Sequence, residues 1–229
     1  MASELIGRAR SEGRRALGEI EAKELVAIWG IPVAPTRLAT SAAEARERAR
    51  ELGLPAVLKL VSPDVVHKSD VDGVRLALDH EDAVERAFEE LKASANAARP
   101  AVRFEGVAVQ PMAPPGLELL LGAHRDPQFG PVVTFGLGGV LVEVYEDIAL
   151  RVAPLDEIDA AEMVDEIRAA RLLGPFRGRP AIDRDAIERA LLSLSELMVA
   201  TPEVAELDLN PVFAYPTGLL AVDARVILA

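Results

Sequence analysis

Glu206-Leu207-Asp208-Leu209-Asn210-Pro211 is the stretch on which the reading of this chain turns. Successive side chains of a strand point to opposite faces, so Glu206, Asp208 and Asn210 share one face and Leu207 and Leu209 the other. The leucines mark a core. The oxygen-bearing face suits Mg²⁺, a hard ion that keeps several waters and shares its site with substrate phosphates. Asp223, in Ala221-Val-Asp223-Ala-Arg225, lies on the hairpin partner and can face the same spot. The plain alternative is the solvated face of an edge strand. Three carboxylates with few local cations repel one another unless a cation joins them, which makes that alternative less comfortable.

Working back from this strand, helical and strand periods alternate. Glu19 to Trp29 reads as a helix stopped by Gly30 and Pro32. Ser41-Ala-Ala-Glu44 reads as a capping box that opens a helix running to Gly53. Ala56–Val61 and Val74–Leu78 read as strands on either side of a polar loop, Ser62–Gly73. Val84, Ala87, Phe88, Leu91 and Ala95 mark one face of a further helix. Val107–Met112 is a strand ended by Pro114-Pro115-Gly116. Glu118–Ala123, Val132–Phe135, Val140–Tyr145 and Ile148–Val152 read as strands. Two helices follow, one carrying Ile158, Ala161, Val164 and Ile167, the other Ile187, Ala190, Leu191, Leu194 and Met198. The last two strands, Val204–Phe213 and Gly218–Ile227, are joined by a turn at Tyr215-Pro-Thr-Gly218. Mixed helices and adjacent strands predict an α+β architecture.

The chain has 229 residues, half of them hydrophobic, with 37 acidic against 25 basic residues and a formal net charge of -12. That size allows one large domain or two lobes, each with its own core. Such acidity disfavours nucleic acid and anionic membranes as partners. No run approaches the ~18 apolar residues of a membrane span, and the N-terminus lacks the apolar core of a signal peptide. The absence of cysteine excludes disulfides and thiolate chemistry. A cytoplasmic location is the expectation.

Three further segments can carry chemistry. Lys59 stands inside the apolar run Ala56–Val61, where an ammonium is costly unless paired. It either snorkels or meets a carboxylate, or it is a cation aimed at phosphate. The loop Ser62–Gly73 sets His67, one of three histidines, beside Lys68 and Ser69. Phe135-Gly136-Leu-Gly-Gly139 is a glycine-rich turn of the kind that lets a backbone approach closely. It is not a P-loop, because no Gly-Lys-Ser/Thr follows, nor a dinucleotide fingerprint, because a strand and not a helix comes next. Taken alone it reads as a tight hairpin.

Taken in order, Glu21-Ala-Lys-Glu-Leu, Gly30-Ile-Pro-Val33, Val57-Leu-Lys59, His67-Lys-Ser-Asp70, Gln110-Pro-Met112, Asp126-Pro-Gln-Phe-Gly130, Gly136-Leu-Gly-Gly139, Val142-Glu143 and Leu207-Asp-Leu-Asn-Pro211 resemble the β subunit of ADP-forming acetyl-CoA synthetases and related acyl-CoA synthetases. More widely they resemble succinyl-CoA ligases and the ATP-grasp proteins. Each motif is short, their joint order is specific, and the likeness runs from about Glu19 to Leu228.

The resemblance implies an ATP-grasp fold, two lobes with the nucleotide between them. The smaller is expected near 21–105 and the larger over 106–229, with the N-terminal helix 1–20 packing on the larger. It implies ATP/ADP and Mg²⁺ as cofactors. Lys59 resembles the lysine that contacts nucleotide phosphate. Gln110 and Met112 fall where main-chain groups meet the adenine, and Glu118 is similar to the acidic residue just after that point. Asp208 and Asn210 fit the acidic-x-Asn pattern that holds magnesium, and Asp223 matches a further ligand position. His67 resembles a histidine on a moving loop that is transiently phosphorylated. One departure stands out: relatives often carry two glycines after the His-Lys-Ser-Asp segment, whereas here Asp72 precedes Gly73.

The implied reaction is reversible: acyl-CoA, ADP and phosphate give carboxylic acid, CoA and ATP. It needs a CoA-binding α subunit, in an α2β2 complex, because this chain has no Gly-x-Gly-x-x-Gly CoA-binding domain. Two alternatives stay open, a non-catalytic nucleotide-sensing module and a succinyl-CoA ligase-type β subunit.

Overall fold

The computed structural model describes residues 1–65, 71–98, 102–139 and 147–229. The chain divides into two compact units. The larger comprises Met1–Leu17, Glu21–Val33 and Pro115–Ala229, the smaller Gly18–Ile20 and Ala34–Pro114.

The larger unit is built on an antiparallel sheet of β1 (Ala16–Leu17), β6 (Leu117–Asp126), β7 (Gly130–Leu137), β8 (Ile148–Val152), β9 (Val204–Ala214), β10 (Leu219–Ala221) and β11 (Arg225–Leu228). The order is β1-β11-β9-β6-β7-β8, with β10 also beside β9. Leu119, Leu121, Val133, Phe135, Leu207 and Leu209 form the buried face. Helices α1 (Ala2–Ser11) and α2 (Glu19–Ile28) come first in the chain, and α5 (Glu157–Glu166) and α6 (Arg184–Ala200) add Met163, Val164, Ile187, Leu191, Leu194 and Met198 to the same core.

Both ends of α6 are held. Asp183 Oδ1 accepts from the Ala186 N–H at 3.0 Å, an N-cap, and Asp183 Oδ2 accepts from the Gly218 N–H at 2.8 Å. At the other end the Arg125 guanidinium donates to the carbonyls of Thr201 (2.9 Å), Val204 (2.8 Å) and Met198. Of these, the Met198 carbonyl belongs to the last turn, whose carbonyls the helix cannot bond internally, Thr201 is the C-cap, and Val204 begins β9.

The smaller unit is a four-stranded antiparallel sheet of β2 (Arg37–Ala39), β5 (Gly106–Pro111), β3 (Ala56–Val61) and β4 (Val74–Leu78), in that order. Helices α3 (Ala42–Leu52) and α4 (Glu81–Ala97) pack on it through Ala45, Ala49, Val84, Phe88 and Leu91 against Leu58, Val107 and Val109. Phe88 meets Phe104 edge to face at 5.4 Å.

Four expectations are corrected. The expected lobe boundary at 105/106 put β5 with the larger lobe. In the structure Gly106–Pro114 groups with the smaller unit, because β5 is hydrogen-bonded along its length to β3, and Glu21–Val33 groups with the larger. The Ser41 cap is present, its hydroxyl accepting from Glu44 N–H at 3.2 Å. The Glu44 carboxylate, however, accepts mainly from the N–H and hydroxyl of Thr40, both at 2.7 Å. Ile158 is exposed, since the buried stripe of α5 is Ala160, Met163 and Val164. Finally, the strand expected over Gly218–Ile227 is broken into β10 and β11. Pro211 has no N–H to donate to a ladder, and pairing lapses opposite it. The strand expected over Val140–Tyr145 lies outside the described residues.

Candidate functional site

In the larger unit β9 alternates from Glu206 to Asn210, and past Pro211 the phase reverses, Val212 and Ala214 being buried. Leu207 and Leu209 are buried while Glu206, Asp208 and Asn210 are half-buried on the other face. The break between β10 and β11 has a consequence for Asp223. Ala221 pairs with Val212 and Arg225 with Asp208, so the register is the same on both flanks and Asp223 stands opposite Asn210. Opposed residues of antiparallel strands share a face. Asp208, Asn210, Asp223 and Arg225 therefore lie on one face of the sheet. On the other side of β9, Asp208 pairs with Gly122, whose missing side chain keeps that position open.

The glycine turn closes against this row. The Gly138 N–H donates to the Glu118 carbonyl at 2.9 Å, and the Gly139 N–H donates to Asn210 Oδ1 at 2.9 Å. The second bond fixes which end of the Asn210 amide faces the turn and leaves its oxygen a second lone pair. Gly139 has φ +68°, and a Cβ there would fall on the Glu118 carboxylate. A Cβ on Gly138 would run into the Leu119 carbonyl. Glu118, the turn, Asn210 and Asp223 are thus contiguous.

Glu206 of the row carries an ion pair. Arg225 Nη2 bonds Glu206 Oε1 at 3.0 Å. The expectation of few local cations is corrected: one carboxylate of the row has its own arginine, and Arg225 Nε is buried without a hydrogen-bond partner among the described residues. Among the described residues no three His, Cys, Asp or Glu side chains cluster as a metal cage. The donor set that remains, Asp208, Asp223 and the Asn210 amide oxygen, is all oxygen. It fits a hard divalent cation that completes its shell with water and phosphate oxygens.

In the smaller unit Lys59 is buried in β3, and its ammonium meets Glu19 Oε1 at 2.7 Å, the side chains being 8% and 2% exposed. Burial of the charge is thus matched by a carboxylate forty residues away in sequence. Gln110 is buried in β5. The Thr36 hydroxyl lies 3.5 Å from Gln110 Oε1 and donates to the Ala34 carbonyl at 2.8 Å. Met112 is exposed, and its N–H donates to the Pro55 carbonyl at 2.8 Å, so of its two main-chain groups the N–H is already engaged. His67 and Glu143 lie outside the described residues. Asp72 takes φ 52°, the left-handed region that glycine favours and aspartate tolerates, and both its carboxylate oxygens bond Arg75 at 3.0 and 2.8 Å.

Sequence reasoning missed two residues here. Arg225 was legible in principle, since it follows Asp223 by two and a strand puts such residues on one face. Glu19 carried no signal, because nothing in a helix start identifies a partner in a distant strand.

A four-stranded unit with a buried lysine, and a larger antiparallel unit whose oxygen-bearing row meets a glycine turn, together define an ATP-grasp protein. The chain belongs to that family: the family model described as ATP-grasp domain matches residues 8–228. Among curated proteins it is 41% identical to the β subunit of acetate–CoA ligase (ADP-forming) I of Pyrococcus furiosus, over 99% of this chain and 97% of that one. It is 46% identical to acetate–CoA ligase (ADP-forming) I of Archaeoglobus fulgidus, again over 99% of this chain but only 33% of that longer one. Among solved structures it matches acetyl-coenzyme A synthetase 1 of Ca. Korarchaeum cryptofilum with a TM-score of 0.89 and 47% identity, covering 100% of both chains. That structure holds coenzyme A and Mg-AMPPCP, with its phosphohistidine segment pointing towards the nucleotide binding site.

Proposed function

We propose that this chain is the ATP-grasp component of an ADP-forming acid–CoA ligase. It binds ATP or ADP with Mg²⁺ and exchanges a phosphoryl group with a separate CoA-binding α subunit, in an α2β2 assembly. The observation that carries the reading is the match to the β subunit of the Pyrococcus furiosus ligase, 41% identical over 97% of that subunit.

Phosphoryl transfer asks a protein mainly for position and positive charge. Asp208, Asp223 and the Asn210 amide oxygen would hold Mg²⁺, which when bound neutralises charge on the phosphates. Glu206, engaged by Arg225, stays out of that set. Lys59, paired with Glu19 in its buried strand, supplies a further cation to phosphate. Gln110 and Met112 meet the base, and Glu118 helps bind the nucleotide. His67 carries the phosphoryl group between the partner's site and the nucleotide. No described helix is long and apolar enough to cross a membrane, and we place the reaction in the cytoplasm.

Calorimetry with Mg·ADP tests the metal assignment. Asp208→Ala and Asp223→Ala are each expected to weaken binding at least about tenfold, roughly 1.4 kcal/mol. Unchanged affinity in both variants contradicts it.

A further inference from the structure

The twelve residues Arg168–Arg179 carry four arginines and no acid, in a chain whose net charge is -12. Arg168 and Arg171 lie on a 3₁₀ turn, Arg168–Leu172. Arg177 and Arg179 lie on a two-residue hairpin turn in which Phe176 and Arg179 exchange backbone bonds of 3.1 and 2.9 Å. Arg177 (φ 47°) and Gly178 (φ 81°) take the left-handed conformations that such a turn demands.

All four arginines are exposed. Among the described residues none of their guanidinium groups makes a salt bridge or hydrogen bond, and Arg177 stacks on the Phe176 ring at 5.4 Å. Among the described residues, Asp165, Glu166 and Asp147 nearby are engaged elsewhere. Asp165 is held by Arg184 at 2.5 and 2.8 Å and Glu166 by Arg151 at 2.7 Å. Both oxygens of Asp147 accept backbone N–H groups, of Arg168 at 2.7 Å and Ala169 at 2.8 Å. Between the turns and the sheet lies a cavity of about 350 Å³, with Arg168 and Arg171 on its wall beside the apolar Leu137, Leu172 and Phe176.

We infer that Arg168–Arg179 is a docking surface for an acidic segment of a partner protein whose apolar side chain enters this cavity. Resting on the function proposed above, the partner is the CoA-binding subunit. Unneutralised arginines beside an exposed aromatic and a cavity are the composition of a protein interface. In an otherwise acidic chain, a basic patch steers an acidic surface to one place and repels it from the rest. Among the described residues, the arginines that a small anion in the cavity meets are Arg168 and Arg171. A protein surface uses Arg177 and Arg179 as well, which is why the protein is the occupant.

The test measures the dissociation constant of the purified CoA-binding subunit at 50 and 500 mM salt. It compares the parent chain with two quadruple variants, Arg168, Arg171, Arg177 and Arg179 all →Gln or all →Glu. The Gln variant is expected to bind at least about tenfold more weakly at low salt, with a flattened salt dependence. The Glu variant is expected to bind more weakly still. Both should keep parental affinity for Mg·ADP. Should the Glu variant not fold, the Gln variant decides. Parental affinity for the subunit in the variants overturns the inference and leaves the proposed function standing. Loss of inorganic phosphate or pyrophosphate binding without loss of subunit affinity assigns the patch to a small anion and also overturns it. A parent chain that binds no CoA-binding subunit overturns the proposed function and this inference together.

Discussion

Replacing Arg125 by methionine is expected to cost the larger unit about 3 kcal/mol. The Arg125 side chain collects three carbonyls, those of Met198 in the last turn of α6, Thr201 just past it, which also accepts the Val204 N–H, and Val204 at the start of β9. Met198 and Val204 are fully buried and Thr201 nearly so. A hydrogen bond to a charged group contributes about 1.5–3 kcal/mol, and a buried acceptor left without one costs about 1–3 kcal/mol. The three bonds share one guanidinium, so they do not add. The site is only part-buried, so water recovers some of the loss. About 3 kcal/mol remains, or roughly 6–12 °C in Tm at about 2–4 °C per kcal/mol for a chain of this size. Arg125→Lys should recover only about a third of it, because a single ammonium cannot fork to three acceptors. The assay is urea unfolding followed by Trp29 fluorescence. Trp29, the one tryptophan, packs against the larger unit's core and so reports that unit. A loss below about 1 kcal/mol in Arg125→Met would refute the argument that these carbonyls depend on Arg125.

Gly138→Ala is expected to destabilise by about 1–3 kcal/mol and to weaken Mg·ADP binding, because its Cβ would meet the Leu119 carbonyl and push the glycine turn off Asn210. Thermal melting beside calorimetry checks both effects. The Asp183 carboxylate is held below the usual range by the Ala186 N–H and then the Gly218 N–H. A depressed carboxylate stabilises above its unfolded value, near ~3.9, and loses that contribution as pH falls through the folded value. Asp183→Asn should therefore gain less stability than the parent between pH 3 and pH 5 in urea titrations; equal gains would contradict the cap.

Much of the fold was written in local pattern. The alternation at Leu207 and Leu209, the stripe from Val84 to Ala95 and the breaker at Pro114-Pro115-Gly116 each place an element without reference to anything distant. The oxygen-bearing face of β9 was legible for the same reason, since it follows from period two alone. What escaped depends on register or on pairing over long separations. The break at Asp223 comes from Pro211 on the opposite strand. The engagement of Glu206 by Arg225 needs the β9–β11 register, and the Lys59–Glu19 pair needs a helix brought to a strand. Ile158 misled because an apolar residue at helical spacing near an N-cap can as easily face water. The lobe boundary misled because Gly106–Pro111 follows a polar stretch in sequence but completes the sheet of the smaller unit in space.

Phosphoryl transfer through two polypeptides is tested most directly by one assay: ATP formation from acetyl-CoA, ADP, phosphate and Mg²⁺, with the purified chain, with the CoA-binding subunit added, and with His67→Asn in place of the parent. The chain alone should bind Mg·ADP and make no ATP, the reconstituted pair should make it, and His67→Asn should lose nearly all turnover while keeping nucleotide affinity. ATP formation by the chain alone, or a His67→Asn rate within about tenfold of the parent, roughly 1.4 kcal/mol of barrier, would contradict it.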